Sequence, residues 1–293
     1  MIKPPTFDKN KKIGIVALAG PMDSKILLEG EDFLKNLGYD VLIAPSCFEV
    51  NRYLAGNSDE DRALDLKMLF ADDEVGAILN MRGGYGSNRI IPYIRDFNFS
   101  KYPKLFIGYS DITYMHIYFN QKYNFITYHG PMIRDLLKNE EMTTNGFIKT
   151  ALNGEPLTLK GVNFIGKEAG KATGITIGGN LTIICSTLGT DNEIDTKGKI
   201  LFLEEVNEEP YAIDRSLMQL VHAGKIDDCA GIILGDFSGV DKSGIMETVK
   251  EILLPFRKII AAGIPAGHTS PNQTIPLGAE CTLDIATGQI VFL

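Results

Sequence analysis

Along the first half of the chain, short continuous apolar runs alternate with stretches in which apolar residues recur at three-and-four spacing. Residues 12 to 18 form a run of the buried-strand type, and Gly20-Pro21 breaks it. Ser24 is placed to cap a helix with Leu27, Leu34 and Leu37 on one face and Gly38 as its stop. Val41 to Ala44 predicts a second strand. Asp59 to Phe70 predicts a helix whose apolar positions are Leu64, Leu66, Met68 and Leu69, and Val75 to Leu79 predicts a third strand. Lys104 to Ile107 and Phe125 to Tyr128 predict two more. Strand and helix in alternation call for a parallel sheet with helices on both faces.

The rhythm changes after Tyr128-His-Gly-Pro131. A polar segment leads to Asn153-Gly-Glu-Pro156, and a Gly-rich stretch then runs through Gly179. The second half has its own predicted strands at Lys199 to Leu203 and Gly231 to Gly235. Its helices carry Ile213, Leu217, Leu220 and Val221 on one face, and then span about 243 to 254, before a strand-rich tail from Gln273. With 293 residues the chain exceeds the usual single domain, so two are expected, 1–153 and 154–293.

Composition narrows the class of function. A hydrophobic fraction of 44% and a mean hydropathy of +0.02 are ordinary for a globular protein. No run approaches the ~18 apolar residues of a membrane span. A net charge of −8 argues against nucleic acid or an anionic membrane as partner, since both require a cationic footprint. Cys47, Cys185, Cys229 and Cys281 lie far apart and show no zinc spacing, which fits free thiols in a reducing compartment. Lys11-Lys12 before an apolar run resembles a short signal peptide. The run is brief, however, and Pro21-Met-Asp23 leads straight into a helix, so it is read as a first strand and the protein as cytoplasmic.

Candidate chemistry centres on Gly108-Tyr-Ser-Asp-Ile112. Ser110 falls on the turn between a predicted strand and a predicted helix, where a nucleophile elbow holds its serine. Ile112 stands where the commonest elbow has glycine, and the ordinary use of Ser110 and Asp111 before a helix is as caps. Arg82-Gly-Gly-Tyr-Gly86 also ends a strand, and in such sheets functional groups gather beyond the carboxyl ends of the strands. A serine nucleophile needs a base and an orienting acid. His222 falls at a helix end and His116 lies six residues past Ser110 in a helix, too far along it to return easily to the turn. His129 and His268 both sit in Gly/Pro-flanked loops, and the residue pattern alone does not choose between them. For the acid, Glu204 follows the apolar run Leu201-Phe-Leu203; the ordinary alternative is a solvated acidic run of Glu204, Glu205, Glu208 and Glu209.

Taken together, Arg82-Gly-Gly-Tyr-Gly-Ser-Asn-Arg89, Gly108-Tyr-Ser-Asp-Ile-Thr113, Gly178-Gly-Asn-Leu-Thr182, Leu201-Phe-Leu-Glu-Glu205 with Pro210-Tyr-Ala-Ile-Asp-Arg215, and Gly267-His268 with Pro276-Leu-Gly278 resemble the LD-carboxypeptidase family. The matches run in order from about residue 12 to residue 280. This serine peptidase family includes murein tetrapeptide carboxypeptidase and the microcin C immunity peptidase. The resemblance implies a parallel α/β domain followed by a smaller β-rich α/β domain, with a Ser110-Glu204-His268 triad at their junction. It further implies an oxyanion hole from the N–H groups of Asp111 and Gly84, no metal or organic cofactor, and a homodimer. Arg82 and Arg215 are expected to recognise carboxylates of the peptide, because a guanidinium fork fits that shape. The implied substrate is a cell-wall tetrapeptide that loses its C-terminal D-alanine. A peptidyl nucleotide is the rival substrate, and a catalytically silent peptide-binding protein the rival of another class.

Overall fold

The computed structural model describes residues 1–238 and 241–293. Its strands are β1 (Lys12–Val16), β2 (Asp40–Ile43), a short hairpin of β3 (Val50–Asn51) and β4 (Leu54–Ala55), β5 (Val75–Asn80), β6 (Leu105–Gly108) and β7 (Thr127–His129). They continue as β8 (Leu157–Lys160), β9 (Asn163–Gly166), β10 (Lys171–Asn180), β11 (Ile200–Val206), β12 (Gly231–Ser238), β13 (Ile259–Ala262), β14 (Ile275–Leu277), β15 (Glu280–Asp284) and β16 (Gln289–Phe292).

The first sheet has six strands in the order β14-β7-β6-β5-β1-β2, parallel except for β14. From β1 the chain goes to β2 on one side and then to β5 on the other, so the strand order reverses between β1 and β5. At such a reversal the loops leave a crevice beyond the carboxyl ends. The loop after β1 and the Gly-rich loop after β5 meet there, with Gly20 N–H donating to Gly83 O at 3.1 Å. The elbow loop follows β6, the next strand along.

The helix Ser24–Asn36 is capped by Asp23, whose carboxylate accepts from Lys25 N, rather than by Ser24. In the helix Asp59–Ala71, Leu66 and Leu69 are buried as expected, but Leu64 and Met68 lie 51% and 57% exposed. The inward face instead carries Arg62, which donates to Ala55 O at 2.9 Å and pairs with Asp59. A buried guanidinium is tolerated because its polar atoms find partners, and apolar spacing alone does not reveal it.

The second sheet has eight strands in the order β8-β16-β15-β10-β11-β12-β13-β9, and β10 to β13 run parallel. Together the two sheets make the expected α/β architecture of a parallel domain followed by a β-rich one. The Gly-rich stretch before Gly179 holds β8, β9 and the central strand β10, which pairs with β15 through its first half and with β11 through its second. Glycine is required at 179, where φ is +137° and an added Cβ would lie 2.4 Å from Thr113 Oγ1. Its absence lets β10 press against the helix Thr113–Tyr123, and Asn180 N–H donates to Thr113 Oγ1 at 2.9 Å.

That helix is buried nearly all round, which is the state of a helix enclosed by packed layers. Met115, Tyr118 and Phe119 belong to the apolar core of the first sheet, whereas Ile117 joins the core of the second. A further core lies on the other face of the second sheet around Phe202, Ile233 and Leu283. Among the described residues no helix is long and apolar enough to cross a membrane.

Candidate active site

Ser110 opens a tight turn, Ser110–Ile112, directly after Tyr109 and β6. Its φ of +64° lies in the left-handed region that residues bearing a Cβ seldom adopt. Strain of this kind survives only where the surroundings enforce it. Two contacts do so. Gly83 approaches so closely that an added Cβ would sit 2.8 Å from Ser110 Cβ. Next, Asp111 is buried and turned toward the Gly-rich loop, where its carboxylate accepts from Ser87 N at 2.8 Å while Ser87 Oγ donates to Asp111 O. Neither Ser110 nor Asp111 therefore caps the following helix, and the capping alternative is overturned.

His116 corrects a second expectation. Its imidazole does return to the turn, with Nε2 2.8 Å from Gly108 O and Nδ1 2.9 Å from Thr127 Oγ1. A carbonyl only accepts, so Nε2 carries the proton and Nδ1 accepts from the hydroxyl. Burial pushes this imidazole down to about 3, and it stays neutral. With both nitrogens engaged, His116 braces the strand end beneath the elbow.

Glu204 lies at the carboxyl end of β11, with no exposed surface, beside the bulge that separates Leu203 from Glu205. The solvated acidic run is thus overturned for its first two members, since Glu205 is buried too. Glu205 accepts from Asn180 Nδ2 and Thr182 N, both at 2.8 Å, and so fixes the start of the helix Leu181–Thr187. The carboxylate of Glu204 faces two imidazoles. His268 Nδ1 donates to Oε2 at 2.8 Å, and His129 Nε2 lies 3.7 Å from Oε1. Burial alone would push the Glu204 carboxyl up; His129 and His268 outweigh it and hold the group well below the usual carboxylate range. Burial lowers His268, and Glu204 more than offsets this, leaving its pKa above the ordinary 6.5.

His268 rides on the connection from β13 to β14, which crosses from one sheet to the other. The crossing is tied down at Gly267, whose N–H donates to Asn272 Oδ1, and Asn272 N–H in turn donates to Thr143 Oγ1. Tyr109, the residue before Ser110, packs edge-on against the His268 ring with centroids 4.8 Å apart. The elbow and the Glu204–His268 pair therefore adjoin, although among the described residues no hydrogen bond joins Ser110 Oγ to the imidazole.

Gly83 O is directed at Gly20 N, and the planar trans peptide turns the Gly84 N–H to the opposite side. Arg82 lies alongside, donating from Nη1 to Pro21 O at 2.8 Å, with Nη2 near the position a Gly84 Cβ would take. Arg215 stands apart. It is exposed on the helix Pro210–His222, with its guanidinium 5.8 Å from the Tyr211 ring, and among the described residues no bond links it to the other candidates.

The LD-carboxypeptidase N-terminal domain profile matches residues 13–130, and the LD-carboxypeptidase C-terminal domain profile matches residues 173–283. The chain belongs to the LD-carboxypeptidase family. A probable murein peptide carboxypeptidase of Bacillus subtilis is 39% identical, over 97% of this chain and 92% of its own length. A putative carboxypeptidase of Streptomyces coelicolor is 32% identical over 99% of this chain and 96% of its own. The fold is shared with a muramoyltetrapeptide carboxypeptidase from Oxalobacter formigenes, at a TM-score of 0.84 and 26% identity over 96% of this chain and 98% of that one. It is shared as well with the microcin C7 self-immunity protein MccF bound to glutamyl sulfamoyl guanosine, at 0.89 and 22% over 99% and 97%.

Membership of a carboxypeptidase family gives the arrangement its chemical setting, and several of its members were not legible in the sequence. Tyr109 and Glu205 resemble any strand-flanking tyrosine or any glutamate in an acidic run. The Asp111 carboxylate could be assigned only once the Gly-rich loop was seen above it. His129 carried a signal, its Gly/Pro-flanked loop, but nothing in the sequence says that it faces the same carboxylate as His268.

Proposed function

We propose that this chain is a serine carboxypeptidase that hydrolyses an L,D peptide bond and releases C-terminal D-alanine from murein tetrapeptides. Ser110 attacks the scissile carbonyl carbon. His268, its Nδ1–H held by Glu204, presents Nε2 as the base that takes the hydroxyl proton and later returns it to the departing amine. The charge that develops on the carbonyl oxygen falls to the N–H of Asp111, at the first turn where helical N–H groups lack internal acceptors, and to that of Gly84. Water then attacks the acyl-serine and restores the enzyme. Arg82, beside the Gly-rich loop, is the better placed of the two arginines to meet a peptide carboxylate. The same reading puts the protein in the cytoplasm as a homodimer, which sedimentation of the purified chain would check.

The observation that carries this reading is the part-buried 2.8 Å Glu204–His268 bond next to a serine held at positive φ. The murein substrate is favoured over a peptidyl nucleotide by the Bacillus subtilis relative, similar across nearly its whole length, while the likeness to MccF at 22% identity speaks for fold alone. Incubation with a murein tetrapeptide and, separately, with a peptidyl nucleotide, followed by mass analysis, tests the choice. Loss of D-alanine from the first is expected. Release of nucleotide with an intact tetrapeptide would reverse it. Ser110→Ala is expected to lower kcat by on the order of 10⁴-fold or more, and unchanged turnover would rule out the serine mechanism.

A further inference from the structure

We propose that His129 is a positioning residue for Glu204, holding the carboxylate oxygen that His268 does not use. The inference rests on the triad reading above and adds a fourth side chain to it.

His129 has no exposed surface, and neither has Glu204. Among the described residues, both ring nitrogens of His129 and Oε1 of Glu204 lack a hydrogen-bond partner. Buried polar atoms without partners are uncommon enough to need a reason, and here two such groups face each other, Nε2 to Oε1, across 3.7 Å. The imidazole cannot swing elsewhere. Its backbone is paired with Gly108 on one side and Ile275 on the other, and its ring is pinned edge-on by Phe202 at 4.9 Å and flanked by Tyr109 at 5.7 Å.

The proton position follows from the surroundings. A neutral imidazole has one N–H. On Nε2 it points at the carboxylate, whereas on Nδ1 it would leave a lone pair facing Oε1 and an N–H buried without an acceptor. A doubly protonated ring would also strand its Nδ1–H. The neutral Nε2–H form is therefore the one the site supports, and it offers Glu204 a donor without a second positive charge. Closing the contact to ordinary hydrogen-bond length needs a movement of about 0.5–1 Å.

What this does for the reaction follows from the side chain of glutamate. Its terminal torsion is broad, so a carboxylate held by one oxygen rotates. If Glu204 rotates, Oε2 drifts from His268 Nδ1 just when that imidazole takes on the serine proton. A donor at Oε1 removes the rotation. His129 never touches the substrate and acts through Glu204.

Three replacements separate this role from packing. His129→Phe fills the space without a donor, His129→Asn is polar but too short to reach, and His129→Gln can bring an amide N–H to Oε1. Expected for Phe is a kcat lowered on the order of tenfold to a hundredfold, by analogy with the loss of orienting partners elsewhere, with KM little changed and most of kcat restored in Gln. The low-field proton resonance of the His268–Glu204 bond should broaden or vanish in Phe and persist in Gln. If Phe does not fold, Asn takes its place. Phe or Asn with full kcat and an intact resonance would overturn the inference, as would equal losses in Gln and Phe. Ser110→Ala, assayed alongside, reports on the triad itself: a fully active Ala variant sinks that reading, whereas the resonance needs no turnover and judges His129 separately.

Discussion

Glu204 and His268 shift each other's protonation in opposite directions, and the consequences for activity and stability diverge. As the proposed base, His268 must be unprotonated to act, and because Glu204 raises its pKa above the ordinary 6.5, activity should fall on the acid side with a midpoint above that value. Glu204→Gln is expected to move the midpoint of kcat/KM downward and to lower kcat by about 10⁴-fold, as loss of the orienting carboxylate does in other triads. A midpoint that stays in place would remove Glu204 from the role. For stability the signs run separately. The raised His268 pKa gives stability that is complete below 6.5 and is lost as pH rises through the folded value; the depressed Glu204 pKa gives stability that is complete above 4.5 and is lost as pH falls. The pair thus contributes most between those values, and activity develops as that contribution wanes. The difference in Tm between the parent and Glu204→Gln, followed across pH, should peak in that window.

At the level of elements, the helix Thr113–Tyr123 and β10 form the seam between the two sheets, and Thr113 Oγ1 is the acceptor that joins them. Thr113→Val keeps the shape and removes the acceptor, leaving Asn180 N–H buried and unpaired. A loss of about 1–3 kcal/mol in denaturant unfolding is expected, together with reduced kcat because Ser110 precedes this helix. A change below a few tenths would show that the seam does not depend on the bond. The strand, turn and helix around Ser110 were legible because apolar spacing and Gly108 mark them locally. The strand β10 was not: its Gly179 serves close packing against Thr113, a contact from across the molecule that nothing in the local sequence announces. The expectation for His116 fails for a related reason. Counting residues along a helix takes no account of the tight turn Ser110–Ile112, which folds Gly108 back within reach of the imidazole.

For the whole molecule, we propose a division into 1–153 and 154–293, with β14 returned to the first sheet. The family profiles fall on either side of that division, at 13–130 and 173–283. Pairing between Ile275 and His129 is non-local, and no feature of the tail from Gln273 announces it. Without β14 the edge of β7 lies open, and an unpaired edge strand invites association. A fragment of residues 1–153 made alone is expected to aggregate or unfold well below the Tm of the full chain, and co-expression with 154–293 should rescue it. A soluble, equally stable fragment would show that β14 is dispensable to the first lobe.

The crossing from β13 to β14 has one more implication, for the order of synthesis. The residue assigned as nucleophile is made early and the residue assigned as base late, on a segment that settles only when both sheets are present to receive it. On the proposed assignment, a half-translated chain would carry the serine without its base. On the proposed mechanism, hydrolytic competence would arrive only once both sheets have formed, so nascent chains would stay inert until then.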